Sequence, residues 1–180
     1  KGVLAEAMFF PSLFKGDKAL WTFSWLFHAA LALVAVGHLR VITGLIDSMM
    51  IAFGMSADGI KTLSATAAGV VLMLTAALLL LRRFTIPRVR EITVAPDVVA
   101  LLLLLAIILS GNAMRLGAHF ELAQTRVWAW SLLTFSPNVP AHGGFLLHAF
   151  FGFLLLMYIP FSKVMHFGGI FFTQTLVKRS

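Results

Sequence analysis

The chain has 180 residues, of which 60% are hydrophobic and only 12% are charged, and its mean hydropathy is +0.96. Soluble domains carry a charge on about a quarter of their residues, so this composition excludes a water-soluble globule and indicates a single integral membrane bundle. The net charge of +7 would suggest nucleic-acid binding in a soluble protein, but here the basic residues stand in short runs between apolar segments, as in cytoplasmic loops.

The sequence contains no cysteine. This excludes iron–sulfur clusters, thiolate zinc sites, disulfides and covalently attached c-type haem within the chain. Redox chemistry would therefore need another cofactor or a further subunit.

Four segments are long and apolar enough for membrane-spanning helices, which need about 20 residues at about 1.5 Å each. They cover approximately residues 20–42, 63–81, 98–114 and 144–165. The last one contains Pro160. Because the bilayer core offers no hydrogen-bonding partner to the backbone, we predict an all-α membrane bundle that forms one domain over residues 1–180.

Basic residues concentrate on one side of this predicted bundle. The link RRFTIPRVRE, residues 82–91, holds four arginines, and both chain ends add further basic residues on the same side. The links on the opposite side, residues 43–62 and 115–143, are less basic. The positive-inside rule then predicts that both chain ends face the cytoplasm.

The second outer link contains the stretch ELAQTRVWAWSLLTF, residues 121–135, in which aromatic and polar residues are mixed. This pattern predicts an amphipathic helix that lies in the outer membrane interface. Anchoring of the bundle is the simplest role for its tryptophans.

Histidines concentrate in two of the predicted spans. His28 and His38 lie in the first span, and His148 and His166 lie in or at the end of the fourth, whereas the second and third spans contain none. Ionisable residues inside a span are costly, and they usually face a cofactor, a cavity or a partner. These four histidines are therefore the leading candidates for a functional site.

The first and fourth spans run in opposite directions, which places His38 and His148 near the outer side and His28 and His166 near the cytoplasmic side. Neutral imidazole is an axial ligand of haem iron, and the second ring nitrogen then takes a hydrogen bond. The arrangement favours two imidazole pairs that bind two b-type haems.

One spacing disagrees with this arrangement. On ideal helices His28 and His38 are about 15 Å apart, whereas His148 and His166 are about 27 Å apart, or five whole turns, and point the same way. A break at Pro160 would absorb part of the difference.

Other interpretations of the histidines stay open at this point. A histidine in a span commonly hydrogen-bonds a neighbouring helix, and a proton relay or metal-ion transport would use the same residues. His119 and His142 lie in the outer link, where we expect solvated side chains. Gly37 and Gly152 suit either a close approach of porphyrin or close helix packing.

Three segments carry a resemblance to a known family. LFHAALALVAVGH, LLLLRRFTIPRVR and LLHAFFGFLLLMYIPFSKVMH are similar to the gamma subunit of respiratory nitrate reductase and to the related cytochrome b subunit of Dsr membrane complexes. The resemblance runs from about Phe14 to the C-terminus, and the histidine spacings of ten and eighteen residues are its most specific part. Nitrate-type members have five spans, and the four seen here match the last four, so we expect a further helix before Lys1.

The resemblance implies two b-type haems, the outer one held by His38 and His148 and the inner one by His28 and His166. It also implies oxidation of a membrane quinol, menaquinol or ubiquinol, beside the outer haem. The family's quinol site uses a lysine at the start of the next span, and Lys61 in GIKTLSATAAG matches that position. A snorkelling anchor is the alternative role for this lysine.

Arg40 follows His38 by two residues and has no counterpart in the nitrate pattern. We expect its guanidinium to pair with a haem propionate or with Asp47 or Asp58.

The sequence therefore predicts a multi-pass subunit of a prokaryotic inner membrane that oxidises quinol near the outer face. It would pass the electrons to a cytoplasmic iron–sulfur or catalytic subunit of a respiratory complex, and further membrane or periplasmic subunits are compatible with this role. Two alternatives remain: reversed electron flow that reduces quinone, and a haem-free proton or metal transporter or anchor.

Overall fold

The computed structural model describes residues 2–117 and 121–165, and over these residues the chain is all-helical, without strands. In this part of the chain, four helices are long and apolar enough to cross a membrane, as predicted. They cover Lys18–Leu39, Asp58–Thr85, Ala95–Leu116 and Gly143–Phe161. The largest difference from the predicted boundaries is at the second span, which begins at Asp58 rather than near residue 63.

The α-helices are named α1 to α10 in chain order. They cover Gly2–Phe9, Pro11–Gly16, Lys18–Leu39, Leu45–Ala52, Ala57–Lys61, Ala68–Thr85, Pro87–Glu91, Ala95–Leu116, Leu122–Leu133 and Gly143–Tyr158. A π-helical segment, Thr62–Ala67, joins α5 to α6, and the 3-10 turns Ile159–Phe161 and Lys163–Met165 follow α10.

Local sequence explains where the first two spanning helices begin and end. The Asp17 carboxylate caps α3 by accepting the Leu20 amide hydrogen at 2.9 Å. That amide, together with the guanidinium of Arg82 at the end of α6, holds the pKa of Asp17 below its usual range. α6 ends at Thr85 because the next residue precedes Pro87, and a residue before proline avoids the helical conformation.

α10 ends at Tyr158, two residues before Pro160, and the chain continues as short 3-10 turns. Proline has no amide hydrogen, and its ring clashes with the preceding turn of an α-helix. The helix break that the sequence predicts at Pro160 is therefore present, and the five-turn spacing of an ideal helix does not apply beyond Tyr158. His166 itself lies outside the described residues, and its pairing with His28 stays a prediction.

The spanning helices form a bundle in which α3 packs on α6, α6 on α8, and α8 on α10. Its hydrophobic core consists of Phe27, Ala30, Leu72, Ala76 and Ile108, which come from the first three of these helices. The outer members, α3 and α10, bury only 11% and 6% of their most apolar stretch, against 29% and 28% for the central two. The helices with the most uncovered surface are thus the ones that carry the histidines.

A helix, α9, lies where the sequence predicts an interfacial one. Its Trp128 meets Phe145 of α10 edge-on, with ring centres 5.0 Å apart. This contact attaches the link between the third and fourth spans to the start of the last span, while the position of α9 in the membrane interface stays a prediction.

Small and polar residues bring the two central helices together. The side-chain amide of Asn112 in α8 donates to the carbonyl oxygen of Gly69 in α6 at 3.0 Å, and both residues are buried. A Cβ atom at Gly69 would lie 2.3 Å from Asn112 Oδ1. The contact therefore depends on glycine, in the manner of the small residues that let membrane helices approach closely.

Replacing Gly69 with alanine should separate α6 from α8 and strain the buried amide. We expect Gly69→Ala to lower the free energy of unfolding by about 1–3 kcal/mol, measured as a lower midpoint of thermal unfolding in detergent. Gly16→Ala is the control, since no atom lies within 4 Å of its added Cβ. Equal midpoints for the two variants would contradict this account of the α6–α8 contact.

Candidate functional site

His38 near the end of α3 and His148 near the start of α10 bring their rings together. The ring centres are 6.1 Å apart, and the ring planes make an angle of 18°. The two residues belong to the first and last spans, which pack on different neighbours, α3 on α6 and α10 on α8. The structure thus confirms that these two predicted site residues are neighbours.

The distance between the two ring centres is close to that of two imidazoles bound to one metal ion. A first-row metal binds an imidazole nitrogen at about 2 Å, and the ring centre lies about 1 Å behind that nitrogen. Two imidazoles on opposite sides of one iron therefore have centres about 6 Å apart. His38 and His148 have this separation and nearly parallel planes.

The hydrogen bonds of these rings determine which nitrogen can bind a metal. Nδ1 of His38 lies 2.7 Å from the Val34 carbonyl oxygen, and Nδ1 of His148 lies 3.0 Å from that of Ile107. A carbonyl oxygen has no hydrogen to donate, so both Nδ1 atoms carry the proton. Each lone pair is then on Nε2, which has no hydrogen-bond partner among the described residues.

His28 shows the same tautomer in the other half of α3. Its Nδ1 lies 2.7 Å from the carbonyl oxygen of Ser24, one turn earlier. The rings of Phe10 and Phe27 meet the imidazole edge-on, with centres 5.1 Å and 5.4 Å away. His28 therefore has the proton arrangement of an axial ligand, although its predicted partner His166 lies outside the described residues.

His142 has the opposite arrangement. Its Nδ1 accepts the Phe145 amide hydrogen at 3.2 Å and caps the first turn of α10. Nδ1 therefore carries the lone pair, and the half-buried ring serves the helix end rather than standing in solvent as expected. His119 lies outside the described residues, and its predicted exposure remains untested.

The ring of His148 lies against residues of α8 that the sequence did not indicate as part of the site. Ser110 Oγ lies 3.1 Å from its Nδ1, and the same hydroxyl donates to the Ile107 carbonyl at 2.9 Å. A Cβ atom at Gly111 would lie 3.0 Å from the Cε1 atom of the ring. The polar sequence Ser110–Gly111–Asn112 inside an apolar span was the signal that could have indicated this role.

Arg40 pairs with Asp47, one of its expected partners. Its Nε lies 2.5 Å from Asp47 Oδ1, and Arg126 of α9 reaches Oδ2 of the same carboxylate at 3.2 Å. Arg126 Nε also donates to the Arg40 carbonyl at 2.8 Å. This Arg40–Asp47–Arg126 cluster connects the end of α3, just after His38, to α4 and α9.

Lys61 is the last residue of α5, and the π-helical segment Thr62–Ala67 follows it directly. The segment packs against α3 and α8, and Arg115 of α8 donates to Thr66 Oγ1 at 3.1 Å. π-Helical turns are frequent at functional sites. The backbone of Lys61 therefore lies at the start of the second span, as expected, while its side chain is not among those described.

A second ionic cluster lies at the opposite end of the bundle. The buried carboxylate of Asp97 in α8 pairs with Arg83 of α6 at 3.3 Å and with Lys163 after α10 at 3.1 Å. It ties the end of the last span to the two central helices, three residues before His166.

Removing the charge of Asp47 should loosen the Arg40–Asp47–Arg126 cluster, because two guanidinium groups would face each other without their shared anion. We expect Asp47→Asn to lower the free energy of unfolding by about 1–3 kcal/mol and to speed proteolysis of the outer link, measured by thermal unfolding and by protease digestion in detergent. Glu121→Gln is the control, since this exposed side chain makes no capping hydrogen bond to α9. Asp47→Asn behaving like Glu121→Gln would refute the role of the cluster.

Comparison with known proteins places the chain in a family. The family described as nitrate reductase gamma subunit matches residues 11–179. The chain is 32% identical over 165 residues to the "Hdr-like menaquinol oxidoreductase cytochrome b-like subunit" of Archaeoglobus profundus, an alignment that covers 87% of this chain and 49% of that protein. It is 33% identical over 193 residues to the protein of the same name from Archaeoglobus fulgidus, with 96% and 58% covered.

This chain thus spans about half the length of the curated relatives it matches. No solved structure matches it. With a family match over nearly the whole chain and paired histidines on its first and last spans, the chain belongs to the nitrate reductase gamma subunit family.

Proposed function

We propose that the chain is the di-haem b subunit of a membrane complex that oxidises menaquinol. The quinol is oxidised near the outer face, and the electrons are delivered to cytoplasmic iron–sulfur or catalytic subunits. The relatives' name, menaquinol oxidoreductase cytochrome b-like subunit, supports a membrane cytochrome b that exchanges electrons with menaquinol. The facing rings of His38 and His148 are the observation that carries this proposal.

His38 and His148 suit the outer haem in separation, ring orientation and proton arrangement. When bound, haem b supplies a one-electron carrier whose reduction potential depends on its axial ligands and their hydrogen bonds. The carbonyl oxygens of Val34 and Ile107 keep the proton on Nδ1 and direct the lone pair of each ring to Nε2.

The Arg40–Asp47–Arg126 cluster supports an anionic group beside the outer site. Two guanidinium charges face one carboxylate, so +2 and −1 leave a net charge of +1. A guanidinium has five N–H donors, and the pairing with Asp47 occupies only part of them. Arg40, two residues after His38, can therefore also bind a haem propionate.

For the inner haem we propose His28 and His166. The carbonyl of Ser24 fixes the His28 tautomer that an axial ligand needs. On the other helix, the ion pair between Lys163 and Asp97 holds the chain three residues before His166. Both features support a defined inner site.

Lys61 is proposed to bind and polarise the quinol. It opens the second span, at a distorted turn that packs against α3, the helix of His38. An ammonium group there can donate a hydrogen bond to a quinol oxygen, and a neutral lysine can accept its proton.

Transport of a bare metal ion, one of the rival functions, is less well supported by the geometry. A bare metal ion in a protein takes three or four protein ligands, and the described ranges 2–117 and 121–165 contain no group of three or more His, Cys, Asp or Glu side chains that could hold one. A haem iron needs only two axial ligands, which His38 and His148 supply. Reversed electron flow uses the same ligands, and haem potentials relative to menaquinone decide the direction.

The ligand assignment predicts the loss of one specific haem. We expect His38→Ala and His148→Ala each to lower haem b from about two to about one per chain, because each removes an axial ligand of the same iron. Haem content is measured by the pyridine haemochrome assay and by the alpha band of the reduced complex, purified from its native membrane.

The control is His142→Asn, since asparagine keeps an oxygen that can cap α10. This variant should retain both haems. Wild-type protein without an alpha band would contradict the proposed function, and full haem content in His38→Ala and His148→Ala would contradict the ligand assignment.

If Lys61 binds the quinol, its removal should slow quinol oxidation without removing haem. We expect Lys61→Ala to slow quinol-dependent haem reduction about tenfold or more, the loss expected for one charge-assisted hydrogen bond, with both haems still present. Stopped-flow reduction by a soluble menaquinol analogue measures this rate, and Lys15→Ala, on the exposed face of α2, is the control. Haem loss, or an unchanged rate, would refute the role.

A further inference from the structure

The two facing histidines are held by different means. Nδ1 of His38 bonds to a carbonyl of its own helix, one turn earlier, so its position depends on α3 alone. Nδ1 of His148 instead bonds across to α8, a spanning helix that contains no histidine. The position of the His148 ring therefore depends on a second helix.

The α8 side of this contact consists of two acceptors. The Ser110 hydroxyl donates its hydrogen to the Ile107 carbonyl at 2.9 Å, which leaves its lone pairs for the Nδ1–H of His148 at 3.1 Å. The Ile107 carbonyl oxygen is itself 3.0 Å from Nδ1. The imidazole proton is thus shared between the two oxygens, and Ser110 is buried with 8% of its surface exposed.

Gly111 provides the surface on which the ring lies. An added Cβ would stand 3.0 Å from Cε1 and 3.4 Å from Nδ1 of His148. Cε1 is the carbon between the two ring nitrogens, so pressure on it also moves Nε2. Only glycine at this position lets the ring lie against the α8 backbone without a shift of a few tenths of an ångström.

We propose that Ser110 and Gly111 are positioning residues that set the orientation and basicity of the His148 ring and thereby the reduction potential of the outer haem. The proposal rests on the proposed function, since it requires His148 to be an axial ligand. Acceptors on Nδ1–H increase the electron density at Nε2. A more basic ligand favours ferric iron, and the α8 contact therefore lowers the potential of the outer haem.

The hydroxyl is tested by Ser110→Ala and Ser110→Thr in the intact complex. In Ser110→Ala one acceptor is lost, and we expect the midpoint potential of the outer haem to rise while that of the inner haem stays unchanged. Ser110→Thr keeps the hydroxyl and should retain the wild-type potential. Optical redox titration measures both potentials, and His38→Ala identifies which component is the outer haem.

The glycine is tested by Gly111→Ala against Gly143→Ala, in which the added Cβ meets no atom within 4 Å. We expect Gly111→Ala to change the low-spin ferric EPR signal of the outer haem and to weaken its retention during purification. Gly143→Ala should leave both unchanged. The inner haem reports folding in every variant, because its ligands lie on α3 and beyond the end of α10.

The outcomes separate this inference from the function on which it rests. Wild-type protein with two b-type haems but with an unchanged outer potential in Ser110→Ala and an unchanged EPR signal in Gly111→Ala would overturn the inference alone. A shift shared equally by both haems would also overturn it, because it would show a general effect on the bundle. Wild-type protein without haem would overturn the proposed function itself.

Discussion

An imidazole inside a membrane span needs a partner for each of its two nitrogens, because the hydrocarbon core supplies none. In this chain backbone carbonyls satisfy the Nδ1–H groups of His28, His38 and His148. The lone pairs of His38 and His148 are then on Nε2, and the centres of the two rings are 6.1 Å apart. The proposed redox role depends on this division of the two nitrogens.

Packing and ionic contacts hold the four spans together. The central pair, α6 and α8, is held together by Asn112 and Gly69, while α3 packs on α6, α10 packs on α8, and both bury little of their surface. The Arg40–Asp47–Arg126 cluster fixes the chain at one end of the bundle, and Asp97 ties three segments together at the other. These contacts hold the two histidine-bearing helices in place.

Hydropathy was sufficient to predict the all-α class and the four spans. The opposite directions of the first and fourth spans correctly predicted that His38 lies next to His148. The sequence did not reveal the contact of His148 with Ser110 and Gly111, because side-chain contacts between two helices depend on their relative rotation, which periodicity alone does not give. The end of α10 at Tyr158 could be expected from Pro160. The capping role of His142 could not be expected, because histidine occurs both as a helix cap and as a metal ligand.

The most direct test is the low-temperature EPR spectrum of the oxidised complex, purified with this subunit in place. Two axial imidazoles with nearly parallel planes give a rhombic low-spin ferric signal, so a b-type haem bound by His38 and His148, whose planes differ by 18°, should show one. Absence of low-spin haem, or an iron with only one histidine ligand, would contradict the account.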